Sequence, residues 1–318
     1  MKRTLALLVA LGWILGSAHA QQFPAKPVRF IVPFVPGGGT DAFARIVGPK
    51  VSATWEQQMI VENRGGAQGN IGTALGAKAA PDGYTITLAY VGTLAINPHL
   101  YRQPGFDALN DFAAITRGTE EAWVVVVHPS VPVKSMKELA ALAKRYPDKL
   151  SFASSASGTQ MVGELFKIAT GTNILHVPYK GAGPAAIDLI AGNVDMMYSS
   201  VTGAVPYVKV GRLRALAVTG SHRVEALPGV PSAVEAGYPD LNVYGWFGVV
   251  APVATPREVI VKLNADFVRA LNAPDLRERM KAIGQTPAPS TPEEFQAQIR
   301  ADYERWGKVV RQSGAKAD

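Results

Sequence analysis

Short apolar runs alternate with helical patterns along almost the whole chain, and this alternation restricts the fold more than any other feature. The strand candidates are Val28–Val32, Gln58–Glu62, Thr85–Tyr90, Trp123–His128, Leu150–Ala153, Ile174–Val177, Val194–Ser199, Leu213–Val218 and Tyr244–Ala251. The helix candidates between them are Asp41–Ala53, Ile71–Ala79, Ser135–Tyr146, Thr159–Thr170, Pro184–Ala191, Pro256–Asn272, Pro274–Ile283 and Pro292–Arg311. Such alternation predicts an α/β fold with mostly parallel sheets. Ser135-Met-Lys-Glu138 and Thr291-Pro-Glu-Glu294 fit capping boxes, the second with proline at the first helical position. Phe295, Ile299, Tyr303 and Trp306 fall on one stripe of the last helix, which is expected to pack onto its own domain.

The first twenty residues have the pattern of a signal peptide. Lys2 and Arg3 precede a short apolar core from Leu5 to Leu15, and Ala18-His19-Ala20 fits a cleavage site before Gln21. The apolar core is short for a membrane span, and no later stretch approaches about 18 unbroken apolar residues. The expected mature protein is therefore exported to the periplasm and folded in water. The chain has no cysteine, so stability must come from packing alone, even in a compartment that permits disulfides. Its formal charge of +7 is spread along the chain, and the densest basic run, Arg277 to Lys281, is interrupted by Glu278. Nucleic acid is not an expected partner.

In open α/β sheets, ligands bind beyond the carboxyl ends of strands, against the helix starts that follow. Four loops of this type stand out. The first runs from Pro36 through Gly37, Gly38 and Gly39 to Asp41, after Val28–Val32. Its glycines allow backbone angles that a side chain forbids. Asp41 falls in the first helical turn, where a carboxylate is favoured. The free N–H groups of that turn suit a carboxylate or phosphate from solution, although the glycines would equally serve a tight turn alone. Asp41 is expected to hold the turn, since a bare carboxylate would repel an anion. The second loop holds Gly92 and Thr93. The third reads Ser154-Ser155-Ala156-Ser157-Gly158-Thr159 and leads to Gln160. The fourth holds Gly181 and Ala182. Two pairs of such loops suggest two lobes facing one cleft.

Signals for other chemistry are missing. There is no P-loop, and Gly181-Ala-Gly-Pro-Ala-Ala186 is a poor dinucleotide fingerprint because proline interrupts it. No Gly-x-Ser-x-Gly elbow occurs. His99, His128, His176 and His222 are isolated, without metal-ligand spacing, so neither a metal site nor a nucleophile–base set is legible. No cofactor is expected.

At the level of motifs the chain resembles the Bug (TctC-type) extracytoplasmic solute receptors of tripartite tricarboxylate transporters. The matching stretches are Pro27-Val-Arg-Phe-Ile-Val-Pro-Phe-Val-Pro-Gly-Gly-Gly-Thr-Asp41, Val61-Glu-Asn-Arg-Gly-Gly-Ala-Gln-Gly-Asn-Ile-Gly72 and Pro81-Asp-Gly-Tyr-Thr85. Further ones are Phe106-Asp-Ala-Leu-Asn-Asp-Phe112, Gly163-Glu-Leu-Phe-Lys167, His176-Val-Pro-Tyr-Lys-Gly-Ala-Gly-Pro-Ala185, Gly211-Arg-Leu-Arg-Ala-Leu-Ala-Val218 and Gly245-Trp-Phe-Gly-Val-Val-Ala-Pro252. Each is modest alone; their order and number carry the resemblance from Phe23 to about Trp306.

The resemblance implies a two-lobed periplasmic-binding-protein-like fold of type II, with lobes joined by crossing β-strands. One lobe would be 23–122 plus 249–318 and the other 123–248, after a signal peptide at 1–20. The crossovers would be Trp123–Val127 and Tyr244–Val250, with Trp123 and Trp246 as reporters of closure. The ligand would be a small carboxylate held by Pro36–Asp41 and Ser155–Gln160, and the partners integral-membrane transporter subunits serving a monomeric receptor. Many relatives carry histidine where this chain has Gln160, and glutamine cannot gain a proton near neutral pH. Either the ligand's distal group prefers an amide, or position 160 braces the helix start. The leading reading is a receptor without enzymatic activity. The alternatives are a receptor of the same fold serving a sensor kinase, and an exported serine hydrolase using Ser155 or Ser157.

Overall fold

The computed structural model describes residues 23–317; the expected signal peptide lies outside the described residues. Two mixed sheets organise the chain. The first contains β1 (Val28–Val32), β2 (Met59–Asn63), β3 (Thr85–Tyr90), β4 (Phe112–Glu121), β10 (Gly245–Pro252) and β11 (Thr286–Pro287), in the order β11-β4-β10-β3-β1-β2. The second contains β5 (Trp123–Val127), β6 (Ser151–Ser154), β7 (Leu175–Pro178), β8 (Met196–Ser200) and β9 (Arg214–Val218), in the order β7-β6-β8-β5-β9. The helices that position the site are α1 (Gly39–Trp55), α2 (Asn70–Ala77), α3 (Asn97–Leu100), α4 (Met136–Arg145), α5 (Ser157–Thr170) and α6 (Ala182–Ala191). They are followed by α7 (Val201–Lys209), α8 (Arg257–Asn272), α9 (Pro274–Ala282) and α10 (Pro292–Ser313).

The sheets are less parallel than the alternation predicts. β1 pairs parallel with β2 and β3, and β6 pairs parallel with β7 and β8. β10 is antiparallel to β3 and β4, and β5 is antiparallel to β8 and β9. The reversed strands are those by which the chain enters each sheet from the other, and no βα unit precedes them to impose a parallel direction.

The passages between sheets are also shorter than expected. Trp123–Val127 lies wholly in the second sheet and Gly245–Val250 wholly in the first. The first passage is Ala122 alone, between β4 and β5, and the return lies between β9 and Gly245. Thr219 clamps the two passages together. Its N–H donates to the Trp123 carbonyl at 2.7 Å, and its Oγ1 accepts from the Trp123 N–H at 2.9 Å. Trp246 is fixed inside the first sheet's packing, with Nε1 donating to Asp302 Oδ2 at 2.7 Å and its ring 5.1 Å from Phe295. Trp123 alone of the two sits at a passage.

Local signals explain most helix ends. Thr291 and Glu294 form a reciprocal capping box: Glu294 N–H donates to Thr291 Oγ1 at 3.2 Å, and Thr291 N–H to Glu294 Oε2 at 2.9 Å. At α4 only half of the box forms, because Glu138 reaches the Lys134 N–H and not that of Ser135. The stripe on α10 is buried at Phe295, Ile299 and Trp306. It does more than cover its own sheet: Trp306 meets Trp123 of the second sheet edge-on at 6.4 Å.

Candidate ligand-binding cleft

At the end of β1 the chain turns through Pro36 and Gly37 into α1. Gly37 has φ +93°, a conformation that a side chain strains, so glycine is required there. Gly38 is extended and carries no side-chain cap. The first intrahelical bond runs from Ala42 N–H to the Gly38 carbonyl at 3.0 Å, so the preceding helical N–H groups have no helix acceptor. A Cβ added to Gly38 would meet nothing within 4 Å, so the space over this turn is open.

Asp41 is 5% exposed and faces inward. Its Oδ2 accepts from Gly37 N–H at 3.0 Å and its Oδ1 from Arg45 Nε at 2.9 Å. Burial would raise this carboxyl, but the hydrogen bonds from Arg45 and Gly37, with the Arg45 charge, hold it below the usual aspartate range. Asp41 is therefore spent on the turn, and it consumes one N–H, that of Gly37. Gln285, fully buried, closes the other side with Nε2 donating to the Gly39 carbonyl at 2.8 Å.

The start of α5 is built differently. Thr159 Oγ1 accepts from Ser155 N–H and Ala156 N–H, both at 3.3 Å, and donates to the Ala156 carbonyl at 2.8 Å. Its hydroxyl braces the loop, contrary to the expectation that it faces a solute. Ser157 is fully covered and its Oγ has no hydrogen-bond partner among the described residues. Gln160 is only 5% exposed, yet its side-chain amide makes no hydrogen bond among the described residues. Ser155 is half-buried.

The second and fourth loops complete the picture. Gly92 and Thr93 are covered. Thr93 Oγ1 donates to the Tyr90 carbonyl at 3.0 Å. A Cβ at Gly92 would stand 2.5 Å from Ser157 Oγ, so these two residues meet between the sheets and do not form an open lining. Gly158 lies so close under the Tyr90 hydroxyl that any Cβ would collide with it. Gly181 and Ala182 are half-buried at the start of α6. The register Ser154↔Pro178 sets their loop beside Ser155 on one sheet edge.

Three aromatic rings absent from the sequence-based set tie the two helix starts together. Phe247 comes 3.5 Å from where a Gly39 Cβ would be, and its ring is 5.8 Å from that of Tyr90. Phe34 meets Tyr90 edge-on at 5.5 Å. Phe34, Tyr90 and Phe247 thus line the region between the turn at Gly38 and the start of α5. Gln285 was not legible either, since it reaches Gly39 from 246 residues away.

One side-chain pair has the outline of catalytic machinery. Ser154 Oγ lies 2.7 Å from His176 Nε2. The imidazole stacks on Phe152 at 4.8 Å, and burial pushes its pKa down to about 4. Ser154 is buried, and no carboxylate bonds the other ring nitrogen among the described residues. The pair lacks the orienting acid and the exposed nucleophile of a triad. Neither Ser155 nor Ser157 bonds a histidine among the described residues, so the hydrolase reading finds no support. Among the described residues no group of His, Cys, Asp or Glu is placed to hold a metal, and no helix is long and apolar enough to cross a membrane.

The family model of the tripartite tricarboxylate transporter family receptor, TctC, matches residues 43–315. The chain belongs to this receptor family. Protein BugT of Bordetella pertussis is 36% identical to the receptor, covering 99% of each chain. Among solved structures, R. palustris Rpa4515 with adipate superposes with a TM-score of 0.88 at 34% identity, covering 93% of this chain and all of that one. The periplasmic binding protein BugD gives 0.85 at 34% identity with the same coverage. The receptor therefore has the two-lobed solute-binding fold of Bug proteins, each sheet forming the centre of one lobe.

Proposed function

We propose that the receptor captures a small organic acid in the periplasm and delivers it to integral-membrane transporter subunits, without chemistry of its own. The observation that carries this reading is the turn at Gly38. The N–H groups that follow Gly37 in this turn have no acceptor among the described residues, the space over Gly38 is open, and the Asp41 carboxylate is already satisfied. A ligand carboxylate there gains charge-assisted hydrogen bonds and the favourable end of the α1 dipole. The far end of the solute meets Gln160, whose side-chain amide has no partner among the described residues, and the Ser157 hydroxyl once the lobes part and uncover it from Gly92, with Ser155, Gly181 and Ala182 on the same rim. Adipate in the related Rpa4515 supports the ligand class.

The lobes in this reading are 23–122 with 245–317, and 123–244; a division at 248/249 would cut β10. The receptor acts as a monomer, and its leader at 1–20 directs export. A thermal-shift screen of adipate and other small carboxylic acids tests the function. A ligand present at 100 times its dissociation constant adds about 2.7 kcal/mol of stability. A screen in which no acid raises the melting temperature would overturn the reading.

A further inference from the structure

An acidic side chain is buried at the point where the chain changes lobes. Glu121 ends β4, Ala122 makes the passage and Trp123 opens β5. Glu121 is 2% exposed, and its Oε1 is shut off from solvent with no hydrogen-bond partner among the described residues. On one side β10 pairs Gly245 with it. On the other, β11 pairs Thr286 with Glu120, so Gln285 stands one step further along the same ladder, beside Glu121. Gln285 Oε1 is also without a donor, while its Nε2 is committed to Gly39 in the ligand turn.

Among the described residues no charged group compensates Glu121. β3 supplies Tyr90, whose hydroxyl burial and the nearby Glu121 push well above its ordinary value, so it stays neutral. The Trp123 indole of β5 lies against Gly158 of α5 and against Gly245, the strand partner of Glu121, and Gly158 in turn lies against the Tyr90 hydroxyl. β10 supplies Gly245, and Gln285, just before β11, supplies its amide. The adjacent Glu120 is half-exposed and pairs with Arg117 at 3.6 Å. An uncompensated carboxylate is expensive to keep out of water, so the covered form of Glu121 is the neutral acid, its pKa pushed up to about 8 by burial.

We infer that Glu121 is a proton-linked latch on lobe closure, covered and protonated while Tyr90 of the first lobe lies against Gly158 of the second, hydrated and ionised once the lobes part. This rests on the reading of the protein as a receptor that closes on its ligand. When the lobes are open, the carboxyl titrates near the ordinary glutamate value of 4.5; when closed, near 8. Between those limits closure takes up a proton, so acid pH favours the closed receptor and each pH unit upward weakens ligand binding by up to about tenfold.

Adipate is the probe. In wild type its apparent affinity falls up to about tenfold from pH 6.5 to pH 7.5, a range in which adipate itself stays ionised. Calorimetry in buffers of different ionisation enthalpy reads the uptake of about one proton per adipate bound. Glu121→Gln keeps the shape without the titration, so its affinity is flat over the same range and no proton is taken up. Adipate binding by wild type without proton uptake, or an unchanged pH dependence in Glu121→Gln, overturns the latch and leaves the receptor reading intact. If Glu121→Gln does not fold, proton uptake by wild type decides. If neither adipate nor another acid binds, the receptor reading fails, and scattering from the ligand-free wild type decides the latch. A larger radius of gyration at pH 9 than at pH 5 supports it, and equal radii overturn it.

Discussion

The two helix starts of the proposed site solve the same problem in opposite ways. At α1 a side chain is spent so that backbone is left free: Asp41 fixes the turn by taking the Gly37 N–H and the Arg45 guanidinium, and the following N–H groups stay open. At α5 the backbone donors of Ser155 and Ala156 are spent on Thr159, and the Ser157 hydroxyl is left without a partner among the described residues, as is the amide of Gln160, which keeps 5% exposure. A backbone seat recognises a carboxylate as a carboxylate, whatever is attached to it. A side-chain seat can be re-specified by one substitution. In the proposed site the first lobe would therefore supply the generic part of recognition and the second the selective part.

The strongest way to break this comparison is Gly38→Val. The position is extended and open, so the variant folds, but the added bulk covers the N–H groups. Adipate affinity should fall at least about a hundredfold, as expected for losing more than one hydrogen bond to a charged acceptor at ~1.5–3 kcal/mol each. Unchanged binding by calorimetry would remove the backbone seat.

The two seats also respond differently to acid. His176, which holds Ser154 beside the second seat, has a folded pKa of about 4 against an ordinary 6.5. Between those values the unfolded chain binds the extra proton, so the stability is complete above about pH 6.5 and lost as pH falls toward 4. With discounting for partial exposure the loss is ~1–3 kcal/mol. Asp41 has a lowered pKa, so its contribution persists above the unfolded value of 3.8 and goes only as pH falls through the folded value. Denaturant titrations at pH 4.5 and 7 should show this loss in wild type and a smaller one in His176→Asn. Equal slopes in both proteins would detach the histidine from the effect.

Smaller effects sharpen the division of labour within α5. Ser157→Ala and Gln160→Ala should each weaken the ligand about two- to tenfold, at ~0.5–1.5 kcal/mol per neutral hydrogen bond, with little change in melting temperature. Thr159→Ala should do the reverse, losing about 1 kcal/mol of stability, as for a lost helix-end cap, with ligand preference unchanged. A Thr159→Ala protein of normal stability and altered ligand preference would contradict the bracing role. Last, Asp41→Asn should reduce stability by about 1 kcal/mol without changing the charge type of ligand accepted. Screening that variant against neutral analogues checks this.

Much of this site could be read from local pattern. Val28–Val32 followed by three glycines and an aspartate specifies strand, turn and helix start, because strand propensity, glycine freedom and N-terminal charge preference all act within a few residues. The role of Asp41 follows from the same segment. The aromatic rings could not be read so, since Phe34, Tyr90 and Phe247 look like ordinary strand-end hydrophobics until the sheet order brings them together. β4 was missed because Thr116, Arg117, Thr119 and Glu120 break its apolar run, and Gly118 interrupts it further. Its partners β10 and β11 supply the burial that its own sequence does not advertise. α7 was missed because it contains Gly203 and Pro206, both poor helix residues, and its start depends on the Ser200 hydroxyl accepting from Gly203 N–H at 3.2 Å.

By itself the sequence determined most of the element types, the glycine turn before α1 and the family, because each is written in contiguous residues. Tertiary structure alone decided which hydroxyls are free. Thr159 and Ser157 are both hydroxyl residues at one helix start, and only the fold aims the first at its own loop and the second at Gly92 of the other lobe. It also decided the environment of Glu121. The same carboxyl on an exposed strand end would be an ordinary surface charge; burial at the passage between the two sheets, beside a glutamine that pairs with a turn 246 residues earlier, removes the water that would keep it ionised.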